Sequence, residues 1–419
     1  MTSPQASGQA LSGMRILDLT RILAGPWATQ ILADLGAEVI KVEHPNGGDD
    51  TRSWGPPYVK DDAGTDRGSA YFHSANRGKK SVVVDITKPE GQRVVRAMAA
   101  SCDVVIENFK VGGLAKYGLD YSGLSGVKPD IVYCSITGFG QNGPYADRAG
   151  YDFLIQAMGG LMSVTGQKEG TAGAEPMKVG VALTDVLTGL YAVIGILAAL
   201  RHRDATGEGQ QIDMALLDVQ VATLANQAMN YLATGTSPKP LGNSHPSIVP
   251  YQAFETSDGY VILAVGNDGQ FARFCEVAGL QGLAADARFA TNPERVRNRE
   301  TLIPILQGVM SGRRMDDWIV ALNAAQVPVG PINDLQRVFD DPHIKARGMR
   351  TAPVATDGAP LQGVASPLKL SQTPPIPPKA APELGADTFA VLSQLLDPED
   401  FDIDALEATG AVQFLKGQT

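Results

Sequence analysis

The chain predicts an α/β protein: a Rossmann-like, doubly wound parallel sheet in a large domain, with a smaller α+β domain beside it in sequence. Three observations carry this. Short runs rich in β-branched residues alternate with helical patterns through the first third of the chain. Strands separated by crossover helices pair in parallel and are covered on both faces. Beyond residue 250 the pattern changes to a strand hairpin followed by helices.

Residues 14–19, 38–43, 81–86, 103–107 and 130–135 read as the strands of the first part, with helices over 27–35, 89–100 and, more weakly, 113–124. Helices over 152–164 and 185–200 follow, the second entered from an apolar strand, then a strand near 211–215 and a helix to about 232. Residues 233–250, rich in Gly, Pro and Ser, read as a linker. In 251–326, Ser257-Asp-Gly259 turns a hairpin between 251–256 and 260–265, and helices follow at 270–278, 300–310 and 315–323. Val327-Pro-Val-Gly-Pro331 opens a return segment, 327–419, completing the large domain begun in 1–232. That segment holds the extended run Thr373-Pro-Pro-Ile-Pro-Pro378 and a final helix near 388–396.

Composition narrows the function. The 419 residues carry a net charge of −10, which disfavours nucleic-acid and anionic-membrane partners. Three cysteines, odd in number and far apart, fit a reducing cytoplasm, and five scattered histidines offer no metal-ligand spacing. The N-terminus has no basic and apolar leader pattern. The near-apolar run 186–200 is shorter than the ~20 residues of a membrane span and reads as a buried helix.

Asp185 is the most informative residue. It stands in Val179-Gly-Val-Ala-Leu-Thr-Asp-Val-Leu-Thr-Gly189 with no lysine or arginine between Val179 and Leu200 to pair with it. In the first turn of a helix, free N–H groups and the helix dipole favour its charge. Such a carboxylate suits either a helix cap or nucleophilic attack on an acyl carbon. The ligand of a doubly wound sheet lies at the carboxyl ends of its strands. There the chain places Thr20-Arg-Ile-Leu-Ala-Gly-Pro26, Glu43-His-Pro-Asn-Gly-Gly-Asp49, Glu107-Asn-Phe-Lys-Val-Gly-Gly113 and Thr137-Gly-Phe-Gly-Gln-Asn-Gly-Pro144. The first of these loops lacks Gly-x-Gly-x-x-Gly, so a nicotinamide cofactor is disfavoured.

Several segments in order resemble the class III CoA-transferases, the CaiB/BaiF family. They include Leu17-Asp-Leu-Thr-Arg-Ile-Leu-Ala-Gly-Pro26, Leu35-Gly-Ala-Glu-Val-Ile-Lys-Val-Glu43, Asn76-Arg-Gly-Lys-Lys-Ser81, Val105-Ile-Glu-Asn-Phe109 and Leu183-Thr-Asp185. Gly207-Glu-Gly-Gln-Gln211, Gly266-Asn-Asp-Gly-Gln-Phe271 and Pro328-Val-Gly-Pro331 continue the likeness over nearly the whole chain. The resemblance implies an interlocked homodimer that moves coenzyme A between an acyl-CoA and a free carboxylic acid, with Asp185 as the nucleophile. Asp152 would orient the site or relay a proton. Gly266 and Gly269 would belong to a loop that closes over the acyl group.

By the same resemblance, Ile22, Leu23, Ala24, His44, Val84, Ile86, Asn108, Phe109, Lys110, Lys116, Arg148 and Tyr151 would form the CoA track. His44 and Lys116 stand where the family often has arginine. Arg77, Lys79 and Lys80, the densest basic cluster, suit the phosphates or a solvated turn. Trp54, Tyr71 and Gln270 would lie by the acyl group. Gly242-Asn-Ser-His-Pro-Ser-Ile-Val-Pro-Tyr-Gln252 looks like the branch that uses small dicarboxylates with succinyl-CoA as donor. An α-methylacyl-CoA racemase of the same fold and an inert CoA-binding protein are the alternatives. Racemases typically carry histidine where this chain has Tyr151, and a phenol of pKa near ~10 is a weak base at neutral pH.

Overall fold

The computed structural model describes residues 8–415. It divides into two units: Met1–Leu161 with Val179–Ala228 and Pro342–Thr419, and Met162–Lys178 with Met229–Asp341.

The first unit is built on β1 (Arg15–Asp18), β2 (Glu38–Glu43), β3 (Lys80–Val84), β4 (Val104–Glu107), β5 (Val132–Thr137) and β6 (Gln210–Ala215). Their spatial order is 3-2-1-4-5-6, all parallel, the order of a doubly wound dinucleotide-type sheet. The short strand Val412–Gln413 pairs antiparallel on the outer edge of β3 and blunts it.

Side-chain alternation along each strand divides the core between the faces. On one face Leu17, Ile40, Val82 and Val105 pack with Val94, Val95 and Met98 of α1 (Pro89–Ala100) and with Val391 and Leu392 near the C-terminus. On the other, Ile16, Val39, Val104 and Val132 pack with Ala28 and Leu32 of the helix Ala24–Asp34 and with Ala192 and Ile196 of the helix Leu183–Thr206. Each fully buried Val, Leu, Ile or Met among them contributes roughly 1.5–3 kcal/mol.

Three expectations are corrected here. Residues 179–182 form no strand, because the N–H of Val179 is taken by the buried side chain of Gln156 and not by a neighbouring strand. The helical pattern over 113–124 resolves into a 3-10 turn, Ala115–Tyr117, and a helix, Tyr121–Val127, separated by the left-handed Gly118. The apolar helix is longer than read: Leu183–Thr206 has 24 residues and, by length and composition alone, could cross a membrane. One face is core; Leu190, Tyr191, Ile194 and Leu197 on the other are exposed.

In the second unit Tyr251–Glu255, Tyr260–Ala264 and Val329–Pro331 form an antiparallel sheet. Phe254, Phe271, Phe274 and Trp318 are buried at its core, with the Trp318 indole N–H donating to Met310 O at 2.9 Å. The return to the first unit therefore comes at Pro342 and not at Val327, because Val329–Pro331 pairs with Tyr260–Ala264 and stays with the second unit. The segment Met162–Lys178, read as part of the large domain, also belongs to this unit.

Candidate active site

The carboxyl ends of β1, β2, β4 and β5 open on a cleft of about 710 Å³ in the first unit. Its walls are the four strand-end loops marked in the sequence, the end of β3, Trp54 and the starts of the helices Asp152–Met158 and Leu183–Thr206. They bring together Ile22, Leu23, Ala24, His44, Trp54, Val84, Ile86, Asn108, Phe109, Lys110, Lys116, Arg148, Tyr151, Asp152 and Asp185.

Asp185 lies in the first turn of Leu183–Thr206, whose preceding residue, Ala182, supplies no side-chain cap. The cap comes from elsewhere. Asp152, at the start of the helix Asp152–Met158, accepts the N–H groups of Thr184 at 2.9 Å and Asp185 at 3.2 Å through Oδ1. Its Oδ2 accepts the Gln156 amide at 2.7 Å, and Gln156 Oε1 accepts the N–H of Val179 at 2.9 Å. One side-chain relay thus fixes the helix start and the segment leading into it.

Among the described residues no ion pair involves Asp185. Burial, reinforced by the negative charge of Asp152, pushes its carboxyl up to about 7. Burial, followed by the charges of Asp185, Asp152 and Asp49, pushes the Tyr71 phenol up to about 12, so Tyr71 remains a neutral O–H donor at neutral pH. Tyr71 packs edge-to-face on Trp54 with ring centroids 5.2 Å apart. The result is a shielded carboxylate, a neutral phenol and an aromatic wall.

Cations collect along the cleft despite the acidic chain. Lys110, Lys116 and Arg148 are exposed there. His44, also on the lining, has its Nε2 4.0 Å from Asp85 Oδ1. The Arg148 guanidinium lies over the Tyr145 ring at 4.6 Å, which keeps it extended along the wall. Arg21 and Lys41 also line the cleft. Neither was singled out in the sequence, although Arg21 stands inside the first strand-end loop and Lys41 is a lysine between Ile40 and Val42 in a buried strand, a signal in itself.

The basic cluster is not part of this cleft. Arg77 is turned onto Asp34, its Nε 2.9 Å from Oδ1. The Lys79 ammonium is buried and donates to Asp18, Asn76 and the carbonyl of Pro26 at 2.9–3.1 Å. Lys80 pairs with Glu38. All three are taken up by carboxylates of the sheet and of the helix Ala24–Asp34, with Arg15 sharing Glu38, which corrects the phosphate assignment.

Gly266, Gly269 and Gln270 lie in the second unit. There Asn267 caps the helix Asp268–Val277 by accepting the N–H of Gln270 at 2.9 Å, and Gln270 Oε1 accepts the N–H of Gly266 at 2.7 Å. The stretch is an ordered helix start, with Gly269 inside the helix, and not an open loop.

The family model for CoA-transferase family III matches residues 11–388. The succinate–glutarate CoA-transferase of Agrobacterium fabrum is 52% identical over 385 residues, 92% of this chain and 95% of that protein. The succinyl-CoA:glutarate CoA-transferase of Homo sapiens is 44% identical over 407 residues, 96% and 90% respectively. A crystal structure of a CaiB/BaiF family protein from Brucella suis superposes with a TM-score of 0.81 at 50% identity, covering 93% of this chain and 100% of that one. A doubly wound sheet with a cleft at its switch point, a family model spanning most of the chain and relatives alike from end to end agree: the chain belongs to CoA-transferase family III.

Proposed function

We propose that this enzyme moves CoA from succinyl-CoA to a small dicarboxylic acid, with Asp185 as the covalent nucleophile. The observation that carries the mechanism is the setting of Asp185: cleft-lining, without an ion-pair partner among the described residues, and at the start of a helix capped by a second acid. The substrate class rests on the relatives named above, whose names pair succinate or succinyl-CoA with glutarate.

A carboxylate oxygen of Asp185 attacks the thioester carbonyl of the donor. The C–S bond breaks, giving a mixed anhydride and CoA thiolate. The thiolate then attacks the aspartyl carbonyl carbon, the anhydride C–O bond breaks, and the donor acid leaves as carboxylate. What remains is an aspartyl-CoA thioester. The acceptor carboxylate attacks that thioester, expelling thiolate and forming a second anhydride. Thiolate attack on the acceptor carbonyl then frees Asp185. No net proton is transferred, so the site needs no strong base.

The protein's work is positioning and charge. A carboxylate in water is a weak nucleophile, and partial burial removes the hydration that quenches it. Asp152 occupies the N–H groups of Thr184 and Asp185, so those amides do not draw charge from the nucleophile. The Tyr71 hydroxyl is an O–H donor suited to a developing oxyanion, a class of contact worth ~3–4 kcal/mol. Lys110, Lys116, Arg148 and His44 suit the phosphates, and Ile22, Leu23, Val84, Ile86 and Phe109 the pantetheine and adenine. Gly266, Gly269 and Gln270 form a proposed acyl-binding segment.

We further propose a cytoplasmic homodimer. The exposed apolar residues Leu190, Tyr191, Ile194 and Leu197 favour a protein partner, and the three free cysteines suit a reducing compartment. The test is a donor-by-acceptor CoA-exchange screen, with peptide mapping to trap an adduct on Asp185 and sedimentation to weigh the oligomer. Interconversion of α-methyl enantiomers without CoA exchange would favour the racemase reading. No exchange with any acid would sink the proposal.

A further inference from the structure

The loop between β1 and the helix Ala24–Asp34 has no regular secondary structure, yet five of its consecutive backbone groups are each held by a side chain. The N–H of Thr20 donates to Asp18 Oδ1 at 2.9 Å, and its carbonyl accepts Lys41 Nζ at 2.8 Å. Asn108 closes on Arg21 from both sides, accepting its N–H at 2.9 Å and donating to its carbonyl at 2.7 Å. The N–H of Ile22 lies 3.3 Å from both carboxylate oxygens of Asp49. These side chains come from β1, β2, the loop after β2 and the loop after β4, so the mould is assembled from parts distant in sequence.

The shape being held is an unfavourable one. Ile22 has φ +73°, the left-handed region where a β-branched residue is a genuine outlier. Such strain persists only where the surroundings over-determine it. Beneath it sits an ion pair whose side chains are both fully buried, Lys41 Nζ to Asp49 at 2.9 Å. A buried pair of this kind is seldom more stabilising than apolar residues of the same volume, so stability alone does not explain it. Ile22, Leu23 and Ala24, which the loop delivers, line the cleft directly above.

We infer that Lys41 and Asp49 are positioning residues that hold Ile22 left-handed, and so set the affinity of the cleft for the CoA moiety before the ligand arrives. The inference rests on the reading that this cleft takes CoA. A loop already cast in its bound shape spares the ligand the cost of ordering it. Lys41 and Asp49 act through Ile22, and the effect falls on the donor thioester more than on the acceptor acid.

The test is a cycle of Asp49→Ala and Ile22→Gly, read by steady-state kinetics and by calorimetric titration of free CoA. Asp49→Ala is expected to raise the KM for the acyl-CoA and the Kd for CoA by about tenfold or more, with kcat and the acceptor KM changed far less. Glycine adopts the left-handed conformation without strain. Ile22→Gly should therefore weaken CoA binding in the native background, where it only removes a wall residue. In the Asp49→Ala background it should restore part of the lost affinity, a reversal of sign that a merely stabilising ion pair would not produce.

If Asp49→Ala does not fold, the double variant Lys41→Met/Asp49→Leu removes both charges and leaves neither unpaired, and the same kinetic split is expected of it. Equal costs of Ile22→Gly in both backgrounds, or acceptor and donor KM rising together, would overturn the clamp. If the native enzyme binds no CoA at all, the functional reading fails instead. If it binds CoA and the variants bind it equally well, only the clamp fails.

Discussion

Asp152 Oδ1 accepts the backbone N–H of Asp185 at 3.2 Å, so the second acid of the cleft caps the helix that carries the first. With the amides of Thr184 and Asp185 occupied, burial and then the neighbouring carboxylate both disfavour a negative charge at Asp185. The outcome lies above the usual carboxylate range, at about 7. A poised carboxylate of that kind is ionised over only part of the neutral range.

The rate should show this. Since only the ionised Asp185 attacks, kcat/KM should rise with pH through an acid limb near 7. Asp152→Asn keeps an oxygen acceptor for the cap but removes the charge. Its acid limb should move to lower pH, by about one unit if the charge contributes ~1.4 kcal/mol. A pH–rate profile of the two enzymes decides it: an unmoved limb would assign the ionisation to another group.

Stability should run the other way with pH. A carboxyl that holds its proton more tightly in the native state than in the unfolded chain contributes stability fully below about 3.8 and loses it as pH rises through about 7. Asp185→Asn abolishes this loss. The variant should melt a few degrees above the native enzyme at pH 8, from roughly 1–3 kcal/mol after solvent screening, and the gap should close near pH 4. Turnover should fall by about a thousandfold or more, since no other group supplies the covalent step. Melting curves at the two pH values test the first claim and exchange assays the second.

The central parallel strands were legible because runs such as Val104–Glu107 and Val132–Thr137 are rich in β-branched residues and buried on both faces, with no competing period. The strand-end loops and Asp185 were legible for the same reason, since the topology dictates where they gather. The basic cluster was misread because its partners are remote: Asp34, Asp18 and Glu38 lie 43, 61 and 42 residues from Arg77, Lys79 and Lys80. Charge density is local information, and pairing is not. The cap of the nucleophile's helix was hidden likewise, because Asp152 stands 33 residues upstream of the amide it accepts. Nothing in an isoleucine signals a left-handed backbone, so the shape of the loop at Ile22 could come only from the surrounding structure.

CoA affinity should follow the same division between internally paired cations and cleft-wall cations. Lys80→Ala severs only a half-exposed pair with Glu38 and should leave the donor KM within about twofold. Lys110→Ala and Lys116→Ala, on the cleft wall, should each raise it several-fold, more at low salt than at high. Lys79→Met should instead cost about 3–5 kcal/mol of stability, because Asp18 would be left charged and buried without its partner. Donor KM measured at two ionic strengths, beside thermal melts, separates the three classes.

The loop carrying Arg148, Tyr151 and Asp152 is anchored by a contact between two glycines. A Cβ on Gly150 would come 2.3 Å from the Cα of Gly138, and one on Gly138 would come 2.5 Å from the Cα of Gly150. Both obstacles are backbone, which cannot swing aside as a side chain would. Gly150→Ala must therefore push the two ends of the loop 138–151 apart, and Asp152, two residues on, would be drawn from the N–H of Asp185. The variant should lose kcat by about a hundredfold, the size expected when a reacting group is misplaced by an ångström. The acid limb of its pH profile should also shift, as in Asp152→Asn, while the donor KM rises through Arg148 and Tyr151. Gly126→Ala, where a Cβ would meet nothing within 4 Å, serves as the control and should leave all three readouts unchanged. Native kinetics in Gly150→Ala would show that the glycine contact does not hold the catalytic pair in place.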